Sequence, residues 1–202
     1  MKTFLFVISA CWLLTTYGCQ KNDVKPKGAP VSDEADAVSV LITIDNLWKT
    51  VLRPQLTTKT QSFDDTVLVD GPGGKVSVSG SFETTHASSS WSSSSSSLVD
   101  VTVTFTGYTD NDLYLDGKLR FFDASSTRTA CSSSGCASSS HSDLEYLSED
   151  ARGNALEAMT IAFKDLTGKA YRDKITLSVS KQYVHWQGSL VNSRHDTISV
   201  IY

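Results

Sequence analysis

The stretch VDVTVTF, residues 99–105, alternates strictly between apolar and polar side chains. In a β-strand, successive side chains point to opposite faces, so Val101, Val103 and Phe105 would share one face. VSVSGSF, residues 76–82, repeats the pattern with serines in place of the threonines. Such alternation is typical of antiparallel sheets that bury one face and expose the other to water.

Five later segments carry the same alternation, and turn-forming residues separate several of them. We therefore expect a mainly β (α+β) fold with about eight antiparallel strands, arranged as a meander, a half-barrel or roll, or a sandwich. The five segments are LYLDGKLRFF, AMTIAFKDL, KITLSVS, KQYVHWQGSLV and DTISVIY (residues 113–122, 158–166, 174–180, 181–191 and 196–202).

One helix is predicted ahead of the strands, with Ser32 as its N-cap and Pro54 at its end. Acidic residues follow Ser32, where the helix dipole favours them. The run VSVLITI is rich in β-branched residues and leaves a strand as the alternative. The helix would lie on the apolar face or over an open end of the sheet. The positions with helical spacing are Ala35, Val38, Leu41, Ile42, Asp45, Trp48 and Leu52.

The N-terminus has the features of a secretory signal. The apolar run FLFVISACWLL, residues 4–14, follows Lys2. It is too short to span a bilayer, which takes about 20 residues. A basic start, a short apolar core and small residues before the cleavage point define such a signal. We therefore expect residues 1–18 to be removed and residues 32–202 to form a single exported domain.

The segment TTYGC, residues 15–19, resembles the lipobox of bacterial lipoproteins, in which Gly or Ala precedes the cysteine. Thr16 and Tyr17 depart from that pattern, which usually has Leu and a small residue there. The resemblance implies that a lipid on Cys19 anchors the protein in the outer membrane. The anchored domain would then lie either in the periplasm or at the cell surface. A secreted soluble protein is the alternative. Cysteine usage favours acylation, because Cys19 would otherwise be an odd free thiol in an oxidising compartment.

Residues 19–31, CQKNDVKPKGAPV, contain two prolines and one glycine and no apolar pattern, which indicates a flexible tether. QKND also resembles the short surface-export signals of some Gram-negative lipoproteins. Cleavage after residue 18 leaves 17 basic and 22 acidic residues. This balance disfavours nucleic acid and anionic membrane surfaces as partners, since both attract clustered positive charge.

Two segments are dominated by serine. Residues 86–97, HASSSWSSSSSS, hold nine serines around Trp91, and residues 126–143 are similar. They lack the apolar residues of a core, so we predict two long loops at sheet ends, both at the same end if the strands form a meander. Trp91 would stack on a sugar, insert into a partner or fold back onto the sheet.

Cys131 and Cys136 enclose four residues within the second serine-rich segment. In an exported protein this spacing predicts a disulfide. A metal site with His141 is the alternative, but structural zinc sites need two further ligands. We therefore expect a disulfide, no metal and no cofactor.

Tyr183 and His185 would share one face of a predicted strand, with Trp186 on the other face. Together with Trp91 they are candidate ligand contacts. The alternative assigns Trp186 to the core and leaves the other two on the surface.

The chain has no G-x-S-x-G elbow, H-E-x-x-H pair or phosphate-binding glycine loop, so we expect no enzymatic activity. The leading hypothesis is a binding, adhesion or structural module of the cell envelope, with a glycan or an envelope protein as partner. A second hypothesis is a lipid carrier, with an apolar cavity between the helix and a curved sheet. The third is an enzyme without a recognisable motif, with polar groups converging in a cleft.

Overall fold

A computed structural model describes residues 27–56 and 61–202. The predicted signal segment, residues 1–18, and the predicted lipid-attachment residue Cys19 lie outside the described residues. In the described part of the chain, every helix falls short of the length or the apolar character that a bilayer crossing requires.

The fold is mainly β: among the described residues, 65% lie in strands and one helical stretch has 23 residues. The helical stretch comprises α1 (Glu34–Leu47), one π-helical turn (Trp48–Leu52) and α2 (Arg53–Leu56). The nine strands are β1 (Gln61–Gly71), β2 (Gly74–Ser88), β3 (Ser92–Asp110), β4 (Leu113–Ser132), β5 (Gly135–Leu147), β6 (Met159–Lys164), β7 (Ala170–Gln182), β8 (His185–Val191) and β9 (Thr197–Ile201). Strands β1 and β5 are the two that the alternation did not identify.

All strand pairings are antiparallel, and the sheet order is β1-β2-β3-β4-β5-β7-β8-β9. Strands β1 to β5 form a meander, as predicted. Strand β6 bridges β4 and β7, so that β4, β5, β7 and β6 close into a ring of four strands. The fold is therefore a curved sheet with a closed ring, and not a sandwich.

The ring closes because β4 changes its partner part-way along its length. Asp116 pairs with β6, and from Arg120 onward β4 pairs with β5. Gly117 lies at the change, with φ +122°. A Cβ there would lie 2.9 Å from the carbonyl oxygen of Ala158, so only glycine lets the two segments approach so closely.

The alternation correctly predicted which strand faces form the core. The alternating apolar side chains of residues 76–82 and 99–105 are at most 3% exposed, while the serines and threonines between them are more exposed. Trp48 of the helical stretch stacks on Phe121, with ring centroids 4.7 Å apart. Phe121 contacts Tyr146, which contacts Trp186. The helix therefore packs on the apolar face of the sheet through a continuous row of aromatic rings.

The predicted N-cap is wrong by one residue. Asp33 caps the helix, and its side chain accepts a hydrogen bond from the Asp36 N–H at 2.9 Å. The predicted face is also rotated: Ala35 is exposed and Ile42 is 37% exposed, whereas Val40 and Ile44 are buried. The many β-branched residues of this segment are apolar on several sides, so spacing alone could not select the buried face.

The helix continues past Pro54, which was predicted to end it. The turn before the proline is π-helical, and the Arg53 N–H bonds to the carbonyl of Trp48, five residues earlier. In a regular α-helix the proline ring would clash with the carbonyl of Thr50. The wider π-turn accommodates the ring and lets the chain remain helical to Leu56.

The predicted tether, residues 19–31, extends too far into the domain. Ala29 forms a parallel bridge with Tyr171, and its N–H bonds to the carbonyl of Ala170 at 2.9 Å. Val31 is fully buried, and its N–H donates to Asp173. The end of this segment is therefore part of the fold, because buried backbone groups need hydrogen-bond partners that a free tether lacks.

Candidate functional site: a serine ribbon and an apolar groove

The two serine-rich segments are strands and hairpin turns, so the predicted loops at residues 86–97 and 126–143 are wrong. Strands β2 and β3 stay paired out to Ser88 and Ser93, and β4 and β5 stay paired out to Ser132 and Gly135. We call this four-stranded extension, residues 84–97 and 125–142, the serine ribbon. Both of its hairpin turns lie at the same end, as the meander predicted.

No residue of the serine ribbon is buried, so apolar burial does not hold it together. Its strands are direct continuations of core strands, and each backbone ladder extends outward from a pair that the core has already fixed. Hydroxyl groups add cross-strand hydrogen bonds, with Thr85 to Ser96 at 2.6 Å and Ser97 to Ser125 at 2.8 Å. The paired core strands therefore set the register of the ribbon strands, which gain little free energy from burial themselves.

One face of the ribbon consists almost wholly of hydroxyl-bearing side chains. Cross-strand register places twelve residues on this face in three rows of four, and eleven of them are serine or threonine. We call it the hydroxyl face. Neighbours lie about 4.8 Å apart across strands and roughly 6.6 Å apart along them. The rows are Thr84–Ser97–Ser125–Ser142, His86–Ser95–Thr127–Ser140 and Ser88–Ser93–Thr129–Ser138.

The hydroxyl face continues the core-facing side of the sheet. Asp123 lies two residues before Ser125 on β4 and accepts hydrogen bonds from Trp48 and Arg53 of the helical stretch. The helix thus covers the sheet up to Asp123, and the ribbon begins there. The opposite face is more mixed, because it carries Arg128, His141 and three alanines among its serines.

The tip of the ribbon is held by a disulfide between Cys131 and Cys136, which confirms the predicted pairing. The Cys131 N–H donates to the carbonyl of Trp91 at 2.7 Å and so joins the two hairpin turns. Among the described residues, no group of three or more His, Cys, Asp or Glu side chains is arranged to hold a metal ion. Trp91 is 66% exposed at this tip and does not fold back onto the sheet.

Removing the disulfide with Cys131→Ser and Cys136→Ser together is expected to loosen the tip and leave the body intact. Closing so short a loop is worth about 2 kcal/mol of chain entropy, and this stabilisation acts only on the outer turns. Hydrogen-exchange mass spectrometry should show faster exchange in residues 88–92 and 131–136, with core peptides unchanged. Equal loss of protection in the core strands would contradict this local role.

The other predicted contacts do not form one surface with Trp91. Tyr183 lies in the two-residue turn between β7 and β8 and is 72% exposed, and His185 is also exposed. Trp186 is 3% exposed and belongs to the core, so its assignment as a ligand contact is wrong. Tyr183 contacts the ring of His141 at the base of the ribbon, whereas Trp91 is at the tip.

His141 and Asp143 are hydrogen-bonded at the base of the ribbon, with Nε2 and Oδ2 2.7 Å apart. Ser126 lies directly opposite His141 across the strands. The histidine side chain is 56% exposed on the flat outer face, so the cluster is not enclosed as polar groups in a catalytic cleft are. The structure explains the pair as a contact that fixes the junction of ribbon and body.

An apolar groove lies at the other end of the molecule, with a volume of about 370 Å³. One flank of the helix, the turn between β3 and β4, and the loop between β6 and β7 form its walls. Its apolar contacts include Ile42, Val51, Leu113 and Leu166, of which Leu166 is fully exposed. The other residues of the wall are Ser39, Thr43, Asn46, Leu47, Thr50, Asp110, Lys164, Asp165 and Thr167.

The rim of the groove is acidic. Asp110 and Asp165 line it, and Lys164 is paired with Asp112 at 3.1 Å. Hydrogen bonds from the Thr167 side chain and from the backbone N–H groups of Thr167 and Lys169 hold the pKa of Asp165 below its usual value, so this carboxylate stays charged. The groove therefore combines an apolar floor with net negative charge at its edge.

The interface that the carrier hypothesis requires is filled by side chains. Trp48, Leu41 and Ile44 of the helix are at most 1% exposed against the sheet. The groove lies on the flank of the helix that points away from this interface, with Ile42 and Val51 in its wall.

No protein-family model, curated protein or solved structure matches this chain. Ala29 lies beside Ala170 at the start of β7, and Gln182 at its end pairs with Asp143 at the base of the ribbon. The chain thus enters the domain at the end remote from the ribbon.

Proposed function

We propose that this protein is a non-enzymatic binding module of the bacterial cell envelope, and that the serine ribbon is its binding element. The observation that carries the proposal is the hydroxyl face, three rows of polar side chains held in register and left open to solvent. Ordering long strands of small hydroxyl residues costs conformational entropy, and no buried core in the ribbon offsets that cost. A ligand that binds to the ribbon would account for its presence.

The chemistry of the hydroxyl face favours a polyhydroxylated partner, namely a glycan chain. Each serine or threonine hydroxyl can donate one hydrogen bond and accept two. The ribbon carries Arg128 as its single charged residue apart from histidine, so charge contributes little. A net gain of about 0.5–1.5 kcal/mol per hydrogen bond means that many bonds must form together. The expected ligand is therefore a polysaccharide, bound along several rows at once.

Attachment at the N-terminus fits the same proposal. The lipobox-like segment at Cys19 would anchor the protein in the outer membrane, as in the lipoproteins that this segment resembles. The chain enters the domain at the start of β7, whereas the ribbon extends beyond its end. A protein anchored in this way would present its ribbon on the side away from the membrane, where a surface glycan can reach it.

The test uses paired substitutions on the two faces of the ribbon. Ser95→Glu with Ser140→Glu places two charges on the hydroxyl face, and Ser94→Glu with Ser139→Glu places two on the opposite face of the same strands. Binding to insoluble cellulose, chitin and peptidoglycan should fall at least about tenfold in the first variant. A glycan bound to this face would bury the two glutamate charges without a partner, which opposes contact.

The control pair on the opposite face should retain binding within about twofold. Equal loss in both variants would show that the ribbon has merely been distorted. Failure of the wild-type protein to bind any of the three polysaccharides would refute the glycan proposal and leave the ribbon as a spacer or a protein-binding element.

A further inference from the structure

Trp91 is the single large apolar side chain of the serine ribbon, and the structure holds it at the tip. Its carbonyl accepts the Cys131 N–H, and the adjacent turn is closed by the Ser89 hydroxyl, which bonds to Ser92. The backbone at Trp91 is held in place, and an indole side chain has only two rotatable bonds, so it loses little conformational entropy on binding. Tryptophan in such a position is among the residues that contribute most to protein interfaces.

The apolar groove lies at the opposite end of the same strand. β3 runs for 19 residues from Ser92, next to Trp91, to Asp110 in the wall of the groove. A strand of this length spans roughly 60 Å. Trp91 therefore cannot reach the groove of its own chain, but it can reach the groove of another copy.

The two ends are complementary in size and charge. At about 370 Å³, the groove is near the lower end of the roughly 300–1,000 Å³ range of ligand pockets, which suits one aromatic side chain and its neighbours. The groove has acidic residues at its rim, Asp110 and Asp165. The ribbon contains no acidic residue and carries Arg128 near its tip, so the two surfaces attract each other.

We propose that the ribbon tip of one molecule docks into the apolar groove of a second copy of this chain, with Trp91 inserted between the helix flank and the loop that carries Leu166. Two arrangements satisfy this contact. Two copies can exchange tips reciprocally, or copies can join head to tail into a chain. The contact goes beyond the proposed glycan binding and does not depend on it, because both faces of the ribbon remain free.

The experiment compares a tip variant with a groove variant by sedimentation and native mass spectrometry. Trp91→Ala removes the inserted side chain, and Ile42→Glu with Leu166→Glu blocks the groove. The matched controls alter other exposed apolar residues, Tyr183→Ala on the β7–β8 turn and Val67→Glu on β1. All proteins carry Cys19→Ser, so that no acyl chain at that position contributes to association.

The wild-type protein and both controls should associate in a concentration-dependent way. The tip variant by itself and the groove variant by itself should each self-associate at least about 30-fold more weakly than the wild-type protein. An equimolar mixture of the tip variant with the groove variant should restore a one-to-one pair that does not grow further, because only one intact tip and one intact groove remain. Trp91→Phe should retain part of the association.

Several results would overturn the proposal. The first is a wild-type protein that remains monomeric at about 1 mM, because the dissociation constant for self-association would then lie above that concentration. The mixture could fail to pair although both variants show wild-type circular dichroism. Native mass spectrometry could also detect a small apolar molecule bound to the wild-type protein and absent from the groove variant. That result would assign the groove to a lipid-like ligand. The polysaccharide assay separates the two proposals, since Ser95→Glu with Ser140→Glu should still associate.

Discussion

Replacing Trp48 with alanine is expected to lower the free energy of unfolding by about 3–5 kcal/mol. Trp48 is fully buried, stacks on Phe121 at 4.7 Å and donates its indole N–H to Asp123. The change removes the largest contact between the helix and the sheet and leaves a cavity. For a domain whose total stability lies near 5–15 kcal/mol, such a loss is a large fraction.

Urea denaturation followed by far-ultraviolet circular dichroism measures this effect. Trp91→Ala is the matched control, because the same side chain is removed from an exposed position, and it should change the free energy of unfolding by no more than about 0.5 kcal/mol. Trp48→Phe should lie between the two, since it keeps an aromatic ring against Phe121. A loss below about 1 kcal/mol for Trp48→Ala would show that the helix is not packed on the sheet as described.

Replacing Asp36 with alanine is expected to cost roughly 2–4 kcal/mol of stability. The buried Asp36 carboxylate accepts hydrogen bonds from Ser32, from the Lys169 ammonium at 2.6 Å and from the Tyr171 hydroxyl at 2.9 Å. It therefore ties the start of the helix to β7. Its removal leaves the tyrosine hydroxyl without one of its partners. Asp64→Ala, at an exposed carboxylate on β1, is the control and should have little effect.

The contribution of Asp36 should depend on pH. Burial raises its pKa, but the hydrogen bonds from Lys169, Ser32 and Tyr171 outweigh burial, so the pKa in the folded state lies below the usual value. The stabilisation is therefore fully present above the pKa of about 3.9 in the unfolded chain, and it is lost as the pH falls through the lower folded value. The difference in unfolding free energy between wild type and Asp36→Ala should shrink below about pH 4. A difference that stays constant to lower pH would show that the carboxylate charge is not used.

Prediction of the strands from sequence succeeded where one face is buried. In residues 76–82 and 99–105 the side chains that alternate in the sequence are those that form the core. Prediction of the helix was less accurate in its buried face and in its end at Pro54. Those features depend on which side the sheet approaches and on a local π-turn, and neither leaves a periodic signal.

Among the candidate site residues, the sequence correctly predicted the Cys131–Cys136 disulfide, because a close cysteine pair is visible locally. Trp91 stood out as a lone aromatic among serines and is exposed, while its role as a ligand contact stays a prediction. The sequence misassigned Trp186, whose neighbours Val184 and His185 are exposed. A strand that turns tightly at Tyr183 and Val184 places Trp186 back over the core.

The sequence alone determined seven of the nine strands of the described chain, the buried faces of residues 76–82 and 99–105, and the disulfide, because each depends on side chains within a few positions of one another along the chain. Only the tertiary structure decided that the serine-rich segments are strands. Without burial they have no periodic signal, and they become ordered because neighbouring core strands extend their hydrogen-bond ladders outward. The groove likewise needed the fold, since its walls come from the helix, the β3–β4 turn and the β6–β7 loop, which are far apart in sequence.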